Sequence, residues 1–233
     1  MTKKQKVIAL IAFVLIMVLI ALICVSLQNK RDSGTADDTR TSASPSESLE
    51  PTPEPTPTPL QFTTAPEGYF NDALFIGDSR MVGIQMMETI DGATFFTTVG
   101  LSLTGAMSTS ADVSGVGTTT LPALLQSRQF GKVYVMLGIN ELGWYNLDKF
   151  IEYYGNIVDL LRETHPEAQI YIISILPVGA KATASQEMLN NDRVQMFNER
   201  IQGMCSEKQV YFVNGFEALA VNGSLPDDAS PDG

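Results

Sequence analysis

Residues 73–80 read Ala-Leu-Phe-Ile-Gly-Asp-Ser-Arg. The apolar run at the head of this stretch suits a buried parallel strand, and the Gly-Asp-Ser that follows is a small-residue turn presenting Ser79. Ligands of a parallel sheet sit outside the carboxyl ends of its strands, and a helix starting there aims its first amides at the same spot. Ser79 is therefore read as a nucleophile whose own corner supplies an oxyanion donor. The competing reading is a plain strand-to-helix turn with Ser79 as N-cap. Asp78 is expected to hold the corner through hydrogen bonds to nearby amides, and Arg80 to be a solvated first-turn residue.

Two further stretches separate these readings. Residues 132–143, Lys-Val-Tyr-Val-Met-Leu-Gly-Ile-Asn-Glu-Leu-Gly, form a second apolar strand ending in a Gly-x-Asn turn, and the chain closes on Pro231-Asp232-Gly233. Together with Gly77-Asp78-Ser79 and the Val99-Gly100-Leu101-Ser102 run, they resemble the motifs of the SGNH, or GDSL-type, esterase and lipase superfamily over about residues 68–233. The resemblance implies that Ser79 is the nucleophile, Gly100 a backbone oxyanion donor, Asn140 the side-chain oxyanion donor and Asp232 the acid of a closing Asp-x-x-His block. It also implies a flavodoxin-like strand order, 2-1-3-4-5. Glu141 stands where the family pattern has Asp and is expected to order its own turn. The histidine of the last block would fall at the second position past Gly233, so the reading expects a chain broken short of its base and of a final helix over the sheet.

The remaining pattern supports an α/β domain, a three-layer sandwich on a five-stranded parallel sheet. Residues 80–90 read as an amphipathic helix with its methionines toward the sheet, and residues 93–99 as a second strand delivering Gly100 to the rim of Ser79. Residues 105–119, rich in Ser, Thr and Gly, read either as a mobile loop or small hairpin or as a plain connector. Helices are expected over 121–129, from a cap at Asn146 or Asp148 to about 164, and over 185–207, with strands at 169–176 and 210–213. Trp144 and Tyr145, just past the Asn140 turn, either stack on a sugar ring or pack over the domain edge. His165, the chain's one histidine, lies between a helix and the start of a strand, at the end of the sheet away from Ser79, and is rejected as the base.

Upstream, Lys3, Lys4 and Lys6 precede a nearly uninterrupted apolar stretch, residues 7–27, long enough to span a bilayer. It lacks the short core and small-residue exit of a cleaved signal peptide, so residues 1–6 are read as a cytoplasmic N-terminus and residues 7–27 as an uncleaved signal anchor. Residues 28–66, rich in Ser, Thr, Asp and Pro, are read as a disordered stalk that packs on nothing, and residues 67–233 as the hydrolase domain. The expected location is the cell membrane, single-pass, with the domain extracytoplasmic on a bacterial surface.

The chain carries 26 acidic and 15 basic residues for a net charge of −11. The excess lies in the domain, which disfavours nucleic-acid partners and docking on anionic lipid. Two cysteines far apart exclude a disulfide framework, no Cys/His cluster has metal-ligand spacing, and no glycine-rich phosphate motif follows a strand, so no cofactor or metal is expected. Three functions remain. The first is a serine esterase removing small acyl groups, acetyl foremost, from a carbohydrate; the second is a polysaccharide O-acetyltransferase working through the same Ser79 intermediate. The third is a glycan-binding module on a hydrolase scaffold that has lost its turnover.

Overall fold

The computed structural model describes residues 64–226 and Ala229. The anchor, most of the stalk and Asp232 lie outside the described residues. Among those described, no helix is long and apolar enough to cross a membrane.

Five strands build one parallel sheet: β1 (Ala73–Gly77), β2 (Thr94–Thr97), β5 (Lys132–Met136), β6 (Gln169–Ile173) and β7 (Tyr211–Val213), in the order β2-β1-β5-β6-β7. Counting parallel strands alone, this is the 2-1-3-4-5 order the family resemblance implies. β1 is central and buried along its whole length, which is why its sequence is an apolar run rather than an alternation. Strands β3 (Ser110–Val113) and β4 (Gly117–Thr120) form a separate antiparallel hairpin. Of the two readings open for residues 105–119, the hairpin is the one found.

The helices are α1 (Ser79–Met86), α2 (Leu121–Ser127), α3 (Leu147–Thr164), α4 (Ala180–Ser185), α5 (Asn191–Glu207) and α6 (Gly215–Leu219). Side chains just ahead of them satisfy first-turn amides that have no helical partner. Asn146 accepts from Lys149 N at 2.9 Å, Asn190 from Arg193 N at 2.9 Å and Asn214 from Glu217 N at 3.1 Å. The helix expected over 185–207 starts only at Asn191, because Asn190 caps it and the chain turns between Gln186 and Asn190, and a short helix, α4, precedes that turn. Met188 sits in that turn. The first helix ends at Met86 rather than at residue 90, so only Met81 reaches the core, while Met86 and Met87 are exposed. A helix does follow β7, contrary to expectation, but it is the short α6, which buries Phe216 in the main core.

Successive strand residues point to opposite faces of the sheet. One face carries Leu74, Ile76, Phe96, Val133, Val135, Ile170 and Ile172, packed under Leu124 of α2, Phe150, Tyr154, Ile157 and Leu161 of α3, and Val194, Phe197 and Ile201 of α5. The other carries Phe75, Phe95, Tyr134 and Ile173, and the helix that packs into it is α1, through Met81 and Ile84. Across this second face five rings at matched register positions, Phe95, Phe75, Tyr134, Tyr171 and Tyr211, stack in one row. Their successive centroids lie 5.2, 4.6, 4.8 and 5.0 Å apart.

Candidate active site

Ser79 is the first residue of α1 and is exposed. The corner beneath it is shaped by close packing. A Cβ on Gly77 would stand 2.4 Å from Met81 Cβ and 3.0 Å from the Met136 carbonyl oxygen, so no larger residue fits. Asp78 is 1 % exposed, and its Oδ1 accepts from Arg80 N at 3.0 Å, the corner-holding bond expected of it. Burial raises the Asp78 pKa, opposed by the Arg80 amide and the Arg80 charge. Arg80 corrects its expectation. Its Nη1 donates to the Leu176 carbonyl at 2.8 Å and ties the start of α1 to the segment after β6.

Gly100 and Asn140 follow the two strands that flank β1. Gly77 is in register with Thr97 of β2 and Met136 of β5, so Ser79, Gly100 and Asn140 leave the same end of three adjacent parallel strands two, three and four residues past that level. Gly100 has φ +75° with nothing within 4 Å of a Cβ added there, so its backbone conformation rather than lack of space favours glycine. Asn140 lies in a 3₁₀ turn, Ile139–Glu141, and its Nδ2 donates to the Leu101 carbonyl at 2.9 Å. One amide hydrogen of Asn140 is thereby fixed on the residue after Gly100, and the other remains for a ligand.

Glu141 does more than order its own turn. It is 0 % exposed, and its Oε1 accepts from Leu103 N at 2.9 Å, thirty-eight positions back in the chain. Its Oε2 is buried without a hydrogen-bond partner among the described residues. Burial first, and the Asp78 charge after it, push its pKa up to about 7, against the Leu103 amide, which lowers it.

Behind the rim, two asparagines of α5 grip the segment after β6. Asn198 Oδ1 accepts from Ile175 N at 2.7 Å while its Nδ2 donates to Ile175 O at 2.9 Å; Asn191 does the same for Val178, at 2.8 and 2.9 Å. Seven positions apart on one helix, the two amides substitute for a neighbouring strand. Sequence reading missed both, although two Asn at a two-turn spacing on a helix is the signal that was available.

The aromatic pair divides. Trp144 packs against the main core with its ring edge-on to Tyr153 at 5.8 Å, and its carbonyl accepts from Arg193 Nη2 at 2.6 Å. Tyr145 is 83 % exposed, with the Arg193 guanidinium 5.7 Å from its ring centre. His165 lies at the C-terminal end of α3, ahead of β6, with both ring nitrogens engaged: Nδ1 with Thr164 Oγ1 at 2.9 Å and Nε2 with the Arg128 carbonyl at 3.0 Å. Its ring stacks on Phe130 at 5.6 Å. Among the described residues no cluster of His, Cys, Asp and Glu could hold a metal ion.

Solved structures of similar fold include a GDSL-like lipase from Bacteroides thetaiotaomicron, 17 % identical with a TM-score of 0.53, over 73 % of this chain and 82 % of that one. Another, provisionally described as a platelet activating factor, comes from Streptococcus pneumonia. It is 22 % identical with a TM-score of 0.53, over 70 % and 74 % of the two chains. No curated protein matches the chain. The model of the GDSL-like lipase/acylhydrolase family matches residues 75–233, from within β1 to the last residue, and the chain belongs to that family.

Proposed function

We propose that this protein is an extracytoplasmic serine esterase that removes small acyl groups, acetyl foremost, from a carbohydrate. The observation that carries the reading is the layout of Ser79, Gly100 and Asn140 past the ends of three adjacent strands, with Asn140 bonded to the residue after Gly100. Ser79 Oγ attacks the ester carbonyl, the alkoxide of the sugar leaves with a proton, and water releases the acyl group from the serine. The oxyanion of each tetrahedral intermediate is received by the Ser79 and Gly100 amides and the second Asn140 amide hydrogen. Donors of this kind, fixed before reaction, lower the barrier most when they cost no reorganisation. The exposed ring of Tyr145, on the segment that leads from the Asn140 turn into α3, offers an apolar face to a sugar. His165, held at the other end of the sheet with both ring nitrogens engaged, is not the proton acceptor, and Asp232 is the acid proposed to orient one. The apolar run at residues 7–27 and the Ser, Thr and Pro-rich composition of 28–66 support the membrane-anchored, extracytoplasmic part of the reading.

The test is hydrolysis of a chromogenic acetate ester by the protein expressed from its full-length gene. Turnover that disappears in Ser79→Ala, and free acetate released from an acetylated glycan, support the esterase. Transfer to an added sugar acceptor in preference to water replaces it with the O-acetyltransferase. Glycan binding with no turnover replaces it with the binding module.

A further inference from the structure

Strand order makes the arrangement around Glu141 unusual. β2 and β5 are not neighbours, since β1 lies between them, so backbone hydrogen bonds of the sheet cannot join the segments that follow them. Two consecutive side chains do it instead. From the turn after β5, Asn140 reaches the Leu101 carbonyl and Glu141 reaches the Leu103 amide, both at 2.9 Å. A carbonyl and an amide two residues apart are thus held as an adjoining strand would hold them, across the end of β1 from which Ser79 emerges. Within the held segment Leu101 and Leu103 are buried, and Gly105 N donates to Ser102 Oγ at 3.0 Å. Gly100 is the residue where that segment begins.

We propose that Glu141 is a positioning residue of the esterase reaction, fixing the Gly100 amide and the Asn140 carboxamide in one geometry by anchoring Leu103. This rests on the esterase reading and adds a residue that touches no substrate. The chemistry of the acid fits the role. An anchor for a buried amide has to accept a hydrogen bond, and one oxygen is enough, so the idle, buried Oε2 is a by-product of using a carboxyl where a carboxamide would serve. A neutral side chain with the same acceptor therefore replaces it, and an apolar one of the same length does not. Because the oxyanion forms only after attack, a displaced donor is felt in the transition state and not in the bound ester.

Two variants separate positioning from packing. Glu141→Gln keeps an acceptor for Leu103; Glu141→Met fills the same space without one and relieves the protein of a buried carboxyl. In the full-length protein with an acetate ester, Glu141→Gln is expected to keep kcat within about threefold. Glu141→Met is expected to lose about tenfold or more, with KM within about twofold and a melting temperature no lower than that of Glu141→Gln. Amide exchange read at Leu103 should stay slow in the wild type and Glu141→Gln and become fast in Glu141→Met. Equal kcat for the Gln and Met variants, or a loss confined to KM, overturns the proposal, as does slow exchange at Leu103 in Glu141→Met. A wild type without turnover overturns the esterase reading and the positioning role with it, while the exchange rate at Leu103 still decides whether the clamp exists.

Discussion

The two faces of the sheet use opposite means to the same end. On the face under α2, α3 and α5 the strand residues are aliphatic or Phe96, each 0 % exposed, and their burial comes from helices laid over them. On the other face α1 lies over β1 and β2, Phe70 sets its ring against Phe75 and Tyr134 at 5.7 and 6.0 Å, and towards β7 the row of rings covers itself. Exposure along that row grows from 5 % at Phe75 to 56 % at Tyr211. The residues change with it, from phenylalanine at β2 and β1 to tyrosine at β5, β6 and β7. A tyrosine stacked on its neighbours buries ring area while its hydroxyl stays wet, which makes it the side chain for strands with no helix above them. The covered face holds the domain together by transfer out of water. The open face adds stacking, a smaller and more local contribution.

The largest effect expected from breaking this contrast is on the covered face. Phe197 of α5 is fully buried with its ring 4.7 Å from Phe150. Phe197→Ala removes both transfer energy and packing and should cost about 3 to 5 kcal/mol, read from the urea midpoint. A loss under about 1 kcal/mol would mean that this face is not the core.

Next in size is the acid buried at the rim. The pKa of Glu141 is 4.5 unfolded and about 7 folded, so between those values the native state holds the extra proton. Stability contributed by the protonated form is full below about pH 4.5 and is lost as pH rises towards 7 and through it. The loss is bounded at about 3 kcal/mol by the size of the shift. Asp78, also raised by burial, adds slope of the same sign lower down. Urea titrations from pH 4 to 8 should show stability falling in the wild type and a flatter profile in Glu141→Gln. Stability rising with pH across that window would show both carboxyls to be stabilised as anions.

Part of this design is legible in the sequence and part is not, and the division has a physical cause. β1 reads as buried because four consecutive apolar residues end on Gly-Asp-Ser, and the rim positions of Ser79, Gly100 and Asn140 follow from placing small and amide residues after strands. Those are local signals. The roles of Glu141, Asn191 and Asn198 are carried by side chains bonding backbone 38, 13 and 23 positions away, and nothing near them in sequence specifies the partner. The α4–α5 break was hidden because residues 186–189 carry no glycine or proline, and only the cap at Asn190 marks the restart. The tyrosine row appears only when register sets the rings side by side.

The smallest expected effect sharpens the contrast most. Tyr171 stacks on both Tyr134 and Tyr211, so Tyr171→Ala should cost about 1 to 3 kcal/mol, two ring contacts at roughly 0.5 to 1.5 kcal/mol each with little transfer energy besides. Tyr211 is the end of the row, with one ring partner and more than half its surface in water, and Tyr211→Ala should cost under about 1 kcal/mol. The ordering follows from the open face being open. If something outside the described residues lay over β6 and β7, Tyr211 would be an interior residue, and its truncation would cost on the order of the 3 to 5 kcal/mol expected at Phe197. Urea midpoints of the two tyrosine variants in the full-length protein therefore measure the cover on that face directly. A Tyr211 loss near that of Phe197 erases the difference between the faces, and a small one establishes that tyrosine stacking alone finishes the sheet at β7.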